Sequence, residues 1–219
     1  MKVSKKYWRN KILNNTNSCP NVSLFRFLGS LDFVIKSKNI LEIGFGLGSD
    51  LIEFKKRGAS TYGIDINKHF VNNLKKKIKN VKCIDCTKKN LGFKNIKFDL
   101  IIHRDLIYYL DNKEINSVHQ NIYSSLKKNG LYVFQYVEND FIKLNKNFDN
   151  DNFDLNVIKN YKKKKFAEKY NPVRYLKHKF LLQSCLKNNF TVFGKKILIE
   201  SYDKNESKIR FNRYIAFRK

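Results

Sequence analysis

Apolar and polar positions alternate along this chain in two rhythms, and their order predicts the architecture. Ile40–Ile43 is a short apolar run, the pattern of a strand buried on both faces, and Asp50–Arg57 follows as a helix stopped by Gly58. Ser60–Ile66 reads as a second strand, with Asp65 at its carboxyl end. Phe70, Val71, Leu74 and Ile78 then mark one face of a second helix. Val81–Asp85 and Phe98–His103 read as strands three and four. Ile115, Val118, Ile122 and Leu126 fall at helical spacing before Gly130, which is expected to close that helix. Leu131–Val137 is a fifth strand. Strands that alternate with helices in this way form a parallel sheet joined by crossovers.

The flanks are different. Residues up to Lys38 are aromatic and partly helical, with Tyr7, Trp8, Phe25, Phe27, Leu28, Leu31 and Phe33. Between Asn139 and Tyr170 periodicity gives way to Asn, Asp and Lys, and no element is predicted; an irregular insertion of this length is often functional. Asn171-Pro172 supplies a cap and first-turn proline for a helix reaching Leu186. Thr191–Tyr202 and Lys208–Phe217 then read as two strands joined through Asp203–Ser207 as a hairpin. The expected organisation is one domain: an N-terminal helical cap over 1–38, a core over 39–138, an insertion and possible lid over 139–170, and a helix with a β-hairpin over 171–219.

Composition changes this picture little. With 219 residues, 42% of them hydrophobic and only two prolines, the chain can bury a core. No apolar run approaches the roughly 20 residues of a membrane-spanning helix. The basic Met1–Lys6 lacks the apolar stretch of a secretory signal, so a cytoplasmic protein without a membrane partner is expected. A formal charge of +26 invites a nucleic-acid partner. The same chain is rich in Asn, Ile, Phe and Tyr, however, which is what AT-rich codons encode, and runs such as Lys75–Lys77 and Lys162–Lys165 read as solvated faces. Four cysteines form no disulfide framework in a chain of this size. Cys83 and Cys86 have C-x-x-C spacing, but on a strand they would point to opposite faces, and no metal site is expected.

The chemistry concentrates at strand ends. Gly44, Gly46 and Gly48 follow the first strand as G-x-G-x-G; a dinucleotide fingerprint would need its third glycine at Ser49. Glycines there open the backbone to a ligand and tolerate positive φ. Asp65 ends the second strand, where a carboxylate can accept both ribose hydroxyls, and Asp85 ends the third.

On these residues the chain resembles class I S-adenosylmethionine-dependent methyltransferases. Glu42–Gly48 is similar to that family's first motif and Tyr62–Ile66 to its second. Ile84-Asp85-Cys86 stands at the adenine-reading position, Phe98–His103 at the fourth-strand motif, and Leu126–Leu131 at the turn before strand five. The resemblance implies a Rossmann-like α/β fold, with a seven-stranded, mostly parallel sheet, helices on both faces and a C-terminal antiparallel β-hairpin. Its cofactor would be S-adenosyl-L-methionine. Gly44, Phe45, Gly46 and Gly48 would approach the methionine part, and Glu42 would orient that loop or bind the ammonium through water. Asp65 would hold the ribose, Ile66 would pack on the adenine, Asp85 and the Cys86 amide would read its edge, and His103 would lie near the methionine end.

Methyl transfer needs an aligned nucleophile and, for some acceptors, a base. The expected catalytic candidates are His103 first, because imidazole accepts protons near neutral pH, then Asp105 and Tyr108. His103 reads equally as a cleft-lining residue. Tyr7, Trp8, Arg104 and Tyr109 are the expected substrate contacts; Arg104 could instead pair with Asp105, and His119 reads as structural or exposed. The Asn/Asp-Pro-Pro motif of amino-methylating DNA enzymes and the Pro-Cys of cytosine-5 enzymes are missing at strand four, where the sequence runs His103-Arg104-Asp105-Leu106. The leading expectation is therefore methyl transfer to oxygen or nitrogen of a small metabolite. RNA methylation and a non-catalytic binding role are the alternatives, and the oligomeric state is left open.

Overall fold

A computed structural model describes residues 19–88, 90–137, 178–201 and 209–219. Helix α1 (Val22–Gly29) precedes β1 (Asn39–Ile43), α2 (Ser49–Lys56), β2 (Ser60–Asp65), α3 (Lys68–Lys75), β3 (Val81–Cys83) and β4 (Phe98–Arg104). A 3-10 turn (Ile107–Tyr109), α4 (Asn112–Ser125), β5 (Leu126–Val137), α5 (His178–Lys187), β6 (Thr191–Ser201) and β7 (Ile209–Arg218) complete it. The seven strands form one sheet in the order β3-β2-β1-β4-β5-β7-β6. β1 to β5 run parallel, and β7 lies antiparallel between β5 and β6. The order reverses between β1 and β4, the switch point at which open α/β sheets bind ligands beyond the strand carboxyl ends.

Alternation along the strands explains the two faces. Ile40, Leu100, Ile102, Val133 and Ala216 pack against Leu24, Phe27 and Leu28 of α1 and Phe54 of α2. Leu41, Ile43, Ile101, Phe134 and Phe217 face Ile115, Val118 and Ile122 of α4 and Leu181 of α5. A third cluster joins Phe45 and Leu51 to Phe70, Val71 and Leu74 of α3. The caps use short polar residues that satisfy the first free N–H groups: Asn21 for α1, Asn67 for α3, and an Asp111–Glu114 capping box for α4.

Two predicted boundaries move. β3 ends at Cys83, so Asp85 lies in the turn beyond it, where its Oδ1 accepts from the Thr87 N–H at 3.0 Å and the Thr87 hydroxyl at 2.7 Å. Gly130 does not close α4. That helix ends at Ser125, Leu126 pairs with Phe98, and Leu131 pairs with Leu100, so residues 127–130 bulge out within β5 opposite one residue of β4. A Cβ on Gly130 would lie 2.9 Å from the Phe98 carbonyl oxygen. The 1–18 cap with Tyr7 and Trp8, the 139–170 insertion, the Asn171-Pro172 cap and the 203–207 loop lie outside the described residues.

Candidate functional site

The glycine turn is built as its spacing suggests. Gly44, Gly46 and Gly48 have φ of 72°, 54° and 73°, values that side chains strain to adopt. A Cβ on Gly48 would run into Leu74 of α3, whose Cδ1 would be 2.7 Å away, so the loop is also pinned from below. Asp65 braces it from β2. Its Oδ2 accepts from the Gly46 N–H at 3.1 Å and its Oδ1 from the Asn67 N–H at 2.8 Å. Burial raises the Asp65 pKa, against these two bonds. Ile66, the next residue, is exposed beside the loop, and Cys86 is buried, with burial pushing its thiol up to about 12. Cys83 is exposed at the end of β3, whereas Cys86 lies beyond that strand, so the two do not sit on one strand.

Glu42 ends up on the α1 side of the sheet, in line with Ile40, and is almost wholly buried. Burial, together with the charges of Asp50 and Asp65, raises its pKa well above the usual range. Arg104 and the Leu51 N–H act the other way. Its Oε2 has no hydrogen-bond partner. A buried acceptor without a donor is costly, so this atom invites a ligand donor.

Arg104 is not paired with Asp105, and it is not open along its whole guanidinium. Its Nε and Nη2 lie 2.8 and 2.7 Å from Oδ2 of Asp50, whose side chain is fully buried at the start of α2. The other Asp50 oxygen accepts from the Asn21 N–H at 2.7 Å, and Asn21 Oδ1 in turn accepts from the Tyr214 hydroxyl at 3.1 Å. Thus the cap of α1, the glycine loop's helix, β4 and β7 meet at one ion pair. Sequence reasoning missed Asp50 and Asn21 here. The signals available were a polar residue before an apolar helical run and an acid in a first helical turn.

His103 departs most from expectation. As an odd-numbered position in β4 it faces α4 and α5, and it is 0% exposed. Its Nε2 is 2.6 Å from the Tyr132 hydroxyl, and its ring stacks on Phe134 at 5.3 Å. Burial, and secondarily His119, lower its pKa to about 3, so it is neutral at ordinary pH. It is level with Ile43, the last residue of β1, with its side chain buried on the α4 face of the sheet. His119, read as structural or exposed, is fully buried, with its Nδ1 2.8 Å from Ser184 Oγ.

Asp105 emerges one step beyond β4 in the left-handed region, at φ 52°. Its N–H donates to the Gln135 carbonyl at 3.2 Å, and its Oδ1 accepts from the Tyr108 hydroxyl at 3.2 Å. Strain of this kind persists where the surroundings enforce it. Unlike His103, Asp105 is partly exposed. Tyr108 and Tyr109 are both largely buried. Next to Arg104 on β5, Gln135 is 4% exposed; its Nε2 donates to Asn212 Oδ1 at 2.8 Å while its Oε1 has no partner. Among the described residues, no cluster of three potential metal ligands occurs, and no helix is long and apolar enough to cross a membrane.

Comparisons with known proteins agree with this geometry. Residues 40–130 match the family described as methyltransferase domain. No curated protein matches the sequence. Among solved structures, the chain is similar to magnesium protoporphyrin IX methyltransferase from Synechocystis with bound S-adenosylhomocysteine, at 15% identity and TM-score 0.64, over 98% of this chain and 93% of that one. The N-methyltransferase NodS from Bradyrhizobium japonicum is similar at 13% identity and TM-score 0.64, over 99% and 98%. A SAM-dependent methyltransferase from Methanosarcina mazei is similar at 16% identity and TM-score 0.64, over 84% and 93%.

Proposed function

We propose that this chain is a class I S-adenosylmethionine-dependent methyltransferase, as its match to the methyltransferase domain over residues 40–130 supports, and that it transfers a methyl group to an oxygen or nitrogen of a small metabolite. The observation that carries the substrate class is the distribution of charge. Among the described residues, Glu42, Asp50, Asp65, Asp85 and Asp105 gather at the carboxyl ends of the strands, together with Lys68, Arg104 and Lys113, whereas Lys36, Lys38, Arg57, Lys97, Lys127 and Lys219 gather at or near the opposite end. Lys38 and Lys127 both reach Asp99 there, at 4.0 and 2.8 Å. The acids around the glycine loop oppose a phosphate backbone, which supports a small acceptor over RNA. Two known methyltransferases of similar fold act, by their names, on a porphyrin and on nitrogen, which fits a small acceptor.

The residues fit the cofactor. The Gly44–Gly48 backbone would accommodate its methionine part, Asp65 would hold the ribose, and Ile66, Asp85 and the Cys86 amide would line the adenine. When bound, it supplies a methyl on a cationic sulfur, and the acid-lined strand ends suit that charge. We assign proton acceptance to Asp105, with Tyr108 holding its carboxylate, and give His103 a structural role. Tyr109 covers the turn after β4, and Tyr7 and Trp8 are proposed as cover over the acceptor. A cytoplasmic protein acting without a membrane partner is part of the same reading.

The test is a transfer screen with radiolabelled S-adenosylmethionine against amines, nucleotide sugars, phenols and bulk RNA. Label in a small acceptor is the expected result. Label in RNA alone would move the chain to the RNA-modifying class, and cofactor binding without any transfer would favour the non-catalytic alternative.

A further inference from the structure

Gln135 stands near the carboxyl end of β5, between Arg104 of β4 and Tyr214 of β7 in the register of the sheet. It is buried, and its Oε1 has no hydrogen-bond partner. The carboxamide is held by its other end, since Nε2 donates to Asn212 Oδ1 at 2.8 Å. Both neighbours carry donors, and neither serves the oxygen. Arg104 directs Nε and Nη2 to Asp50 at 2.8 and 2.7 Å, and the Tyr214 hydroxyl donates to Asn21 Oδ1 at 3.1 Å. A buried acceptor without a donor is costly, so an oriented one left open between two donors is suited to a ligand.

Its place ties it to the transfer. The Gln135 carbonyl accepts from the Asp105 N–H at 3.2 Å, so Oε1 and the Asp105 carboxylate belong to adjoining strand ends. Two acceptors there count the protons on an incoming group. A hydroxyl has one proton and satisfies one of them, whereas a primary amine has one for each and keeps its lone pair for attack. A phosphate or carboxylate has none to give.

We propose that Gln135 selects the methyl acceptor and that this acceptor is a primary amine, with one N–H donated to Gln135 Oε1 and the other to Asp105. That assignment rests on the methyl-transfer reading above, with Asp105 as proton acceptor, and narrows its oxygen or nitrogen to nitrogen. The nitrogen lone pair forms the new bond to the methyl carbon, the electron pair of the broken carbon–sulfur bond stays on sulfur, and Asp105 takes the released proton. A Gln135 that only fills the core is the competing reading, and its loss would affect amines and alcohols alike.

Matched probes separate the two: putrescine, glucosamine and benzylamine against butanediol, glucose and benzyl alcohol. Each is offered to the full chain in two assays, ligand-observed NMR with S-adenosylhomocysteine bound and transfer from radiolabelled S-adenosylmethionine. One buried acceptor left without its donor corresponds to about tenfold or more in discrimination. Wild type should therefore bind and label at least one amine ahead of its hydroxyl counterpart by that factor. Gln135→Met should bring the pair within about threefold of each other, with calorimetric affinity for S-adenosylhomocysteine also changed less than about threefold, within the reach of indirect effects. Gln135→Glu keeps an acceptor oxygen and should retain the amine preference. Hydroxyl probes taken as readily as amines by wild type overturn the assignment without any variant and leave the methyltransferase reading standing, and so does an unchanged preference in Gln135→Met. If folded wild type binds no member of either set, the amine assignment falls; if label enters bulk RNA alone, the small-acceptor reading falls with it.

Discussion

Replacing His103 and Tyr132 together by phenylalanine separates a core histidine from a catalytic one. The imidazole is fully buried, its Nε2 is 2.6 Å from the Tyr132 hydroxyl, and its pKa is lowered to about 3. The unfolded chain protonates this histidine near pH 6.5, while the folded chain resists until about 3. Its stabilising contribution is therefore complete above pH 6.5 and is lost progressively as pH falls through that value. Between pH 7.5 and 5 the unfolded state gains about 1.5 pH units of binding, worth about 2 kcal/mol at 1.36 kcal/mol per unit. His103→Phe alone would leave the Tyr132 hydroxyl buried without a partner, at about 1–3 kcal/mol. Removing both polar groups avoids that, so His103→Phe/Tyr132→Phe should unfold in urea near the wild-type midpoint at pH 7.5. At pH 5 it should be more stable than wild type by about 2 kcal/mol. Methyl transfer, measured with whatever acceptor the screen identifies, should persist within a few-fold. An unchanged pH 7.5-to-5 difference in the double variant would refute the buried-neutral assignment. A folded double variant with turnover down a hundredfold would restore His103 as the base.

Three other outcomes follow from the same contacts. Gly48→Ala should cost about 1–2 kcal/mol for the left-handed backbone and about 1–3 more for the overlap with Leu74; Leu74→Ala should relieve only the second part, so additivity within about 0.5 kcal/mol in a urea double-mutant cycle refutes the packing account. Asp105→Asn should lower kcat about a hundredfold or more with calorimetric cofactor affinity little changed; retained kcat removes Asp105 as proton acceptor. Glu42 has a raised pKa, so the folded state binds its proton more tightly than the unfolded one, and stability is lost as pH rises from the unfolded value through the folded one. Glu42→Gln should accordingly raise the melting temperature of the ligand-free protein at pH 8, with the gain shrinking towards pH 4, while weakening S-adenosylmethionine about tenfold; a variant less stable than wild type at pH 8 contradicts the sign.

The sequence exposes features that leave a local mark and conceals those made by packing. Gly44, Gly46 and Gly48 are legible because positive φ selects glycine, and Asp65 because an acid ends an apolar run. Gly130 misleads because a glycine after a helical stretch looks the same whether it ends the helix or sits within a bulge. The side of His103 is hidden for another reason. β4 is apolar on both faces, as Leu100, Ile101 and Ile102 are all 0% exposed, so parity alone cannot say which residues face α4. Arg104 and Asp50 are 54 residues apart in sequence and Asn21 and Asp50 are 29 apart, so their pairing exists only once α2, β4 and α1 are packed together.

A net charge of +26 is equally uninformative until the fold distributes it. In a parallel α/β sheet every strand carboxyl end and following helix amino end lies at one pole, and the helix carboxyl ends lie at the other. Cations near a helix carboxyl end are stabilising by about 0.3–1 kcal/mol each. Lys55 and Lys56 end α2, Lys75 ends α3, and Lys187 ends α5. A lysine-rich composition thus finds favourable positions at the pole away from the glycine loop. Among the described residues, the loop's own pole has Glu42, Asp50, Asp65 and Asp105, with Arg104 bound to Asp50 and Lys68 at the start of α3. An incoming ligand meets this local charge before the global one, and its sign suits a sulfonium and an ammonium better than a phosphate backbone. Among the described residues, the cations at the helix carboxyl ends therefore do not by themselves argue for a nucleic-acid acceptor.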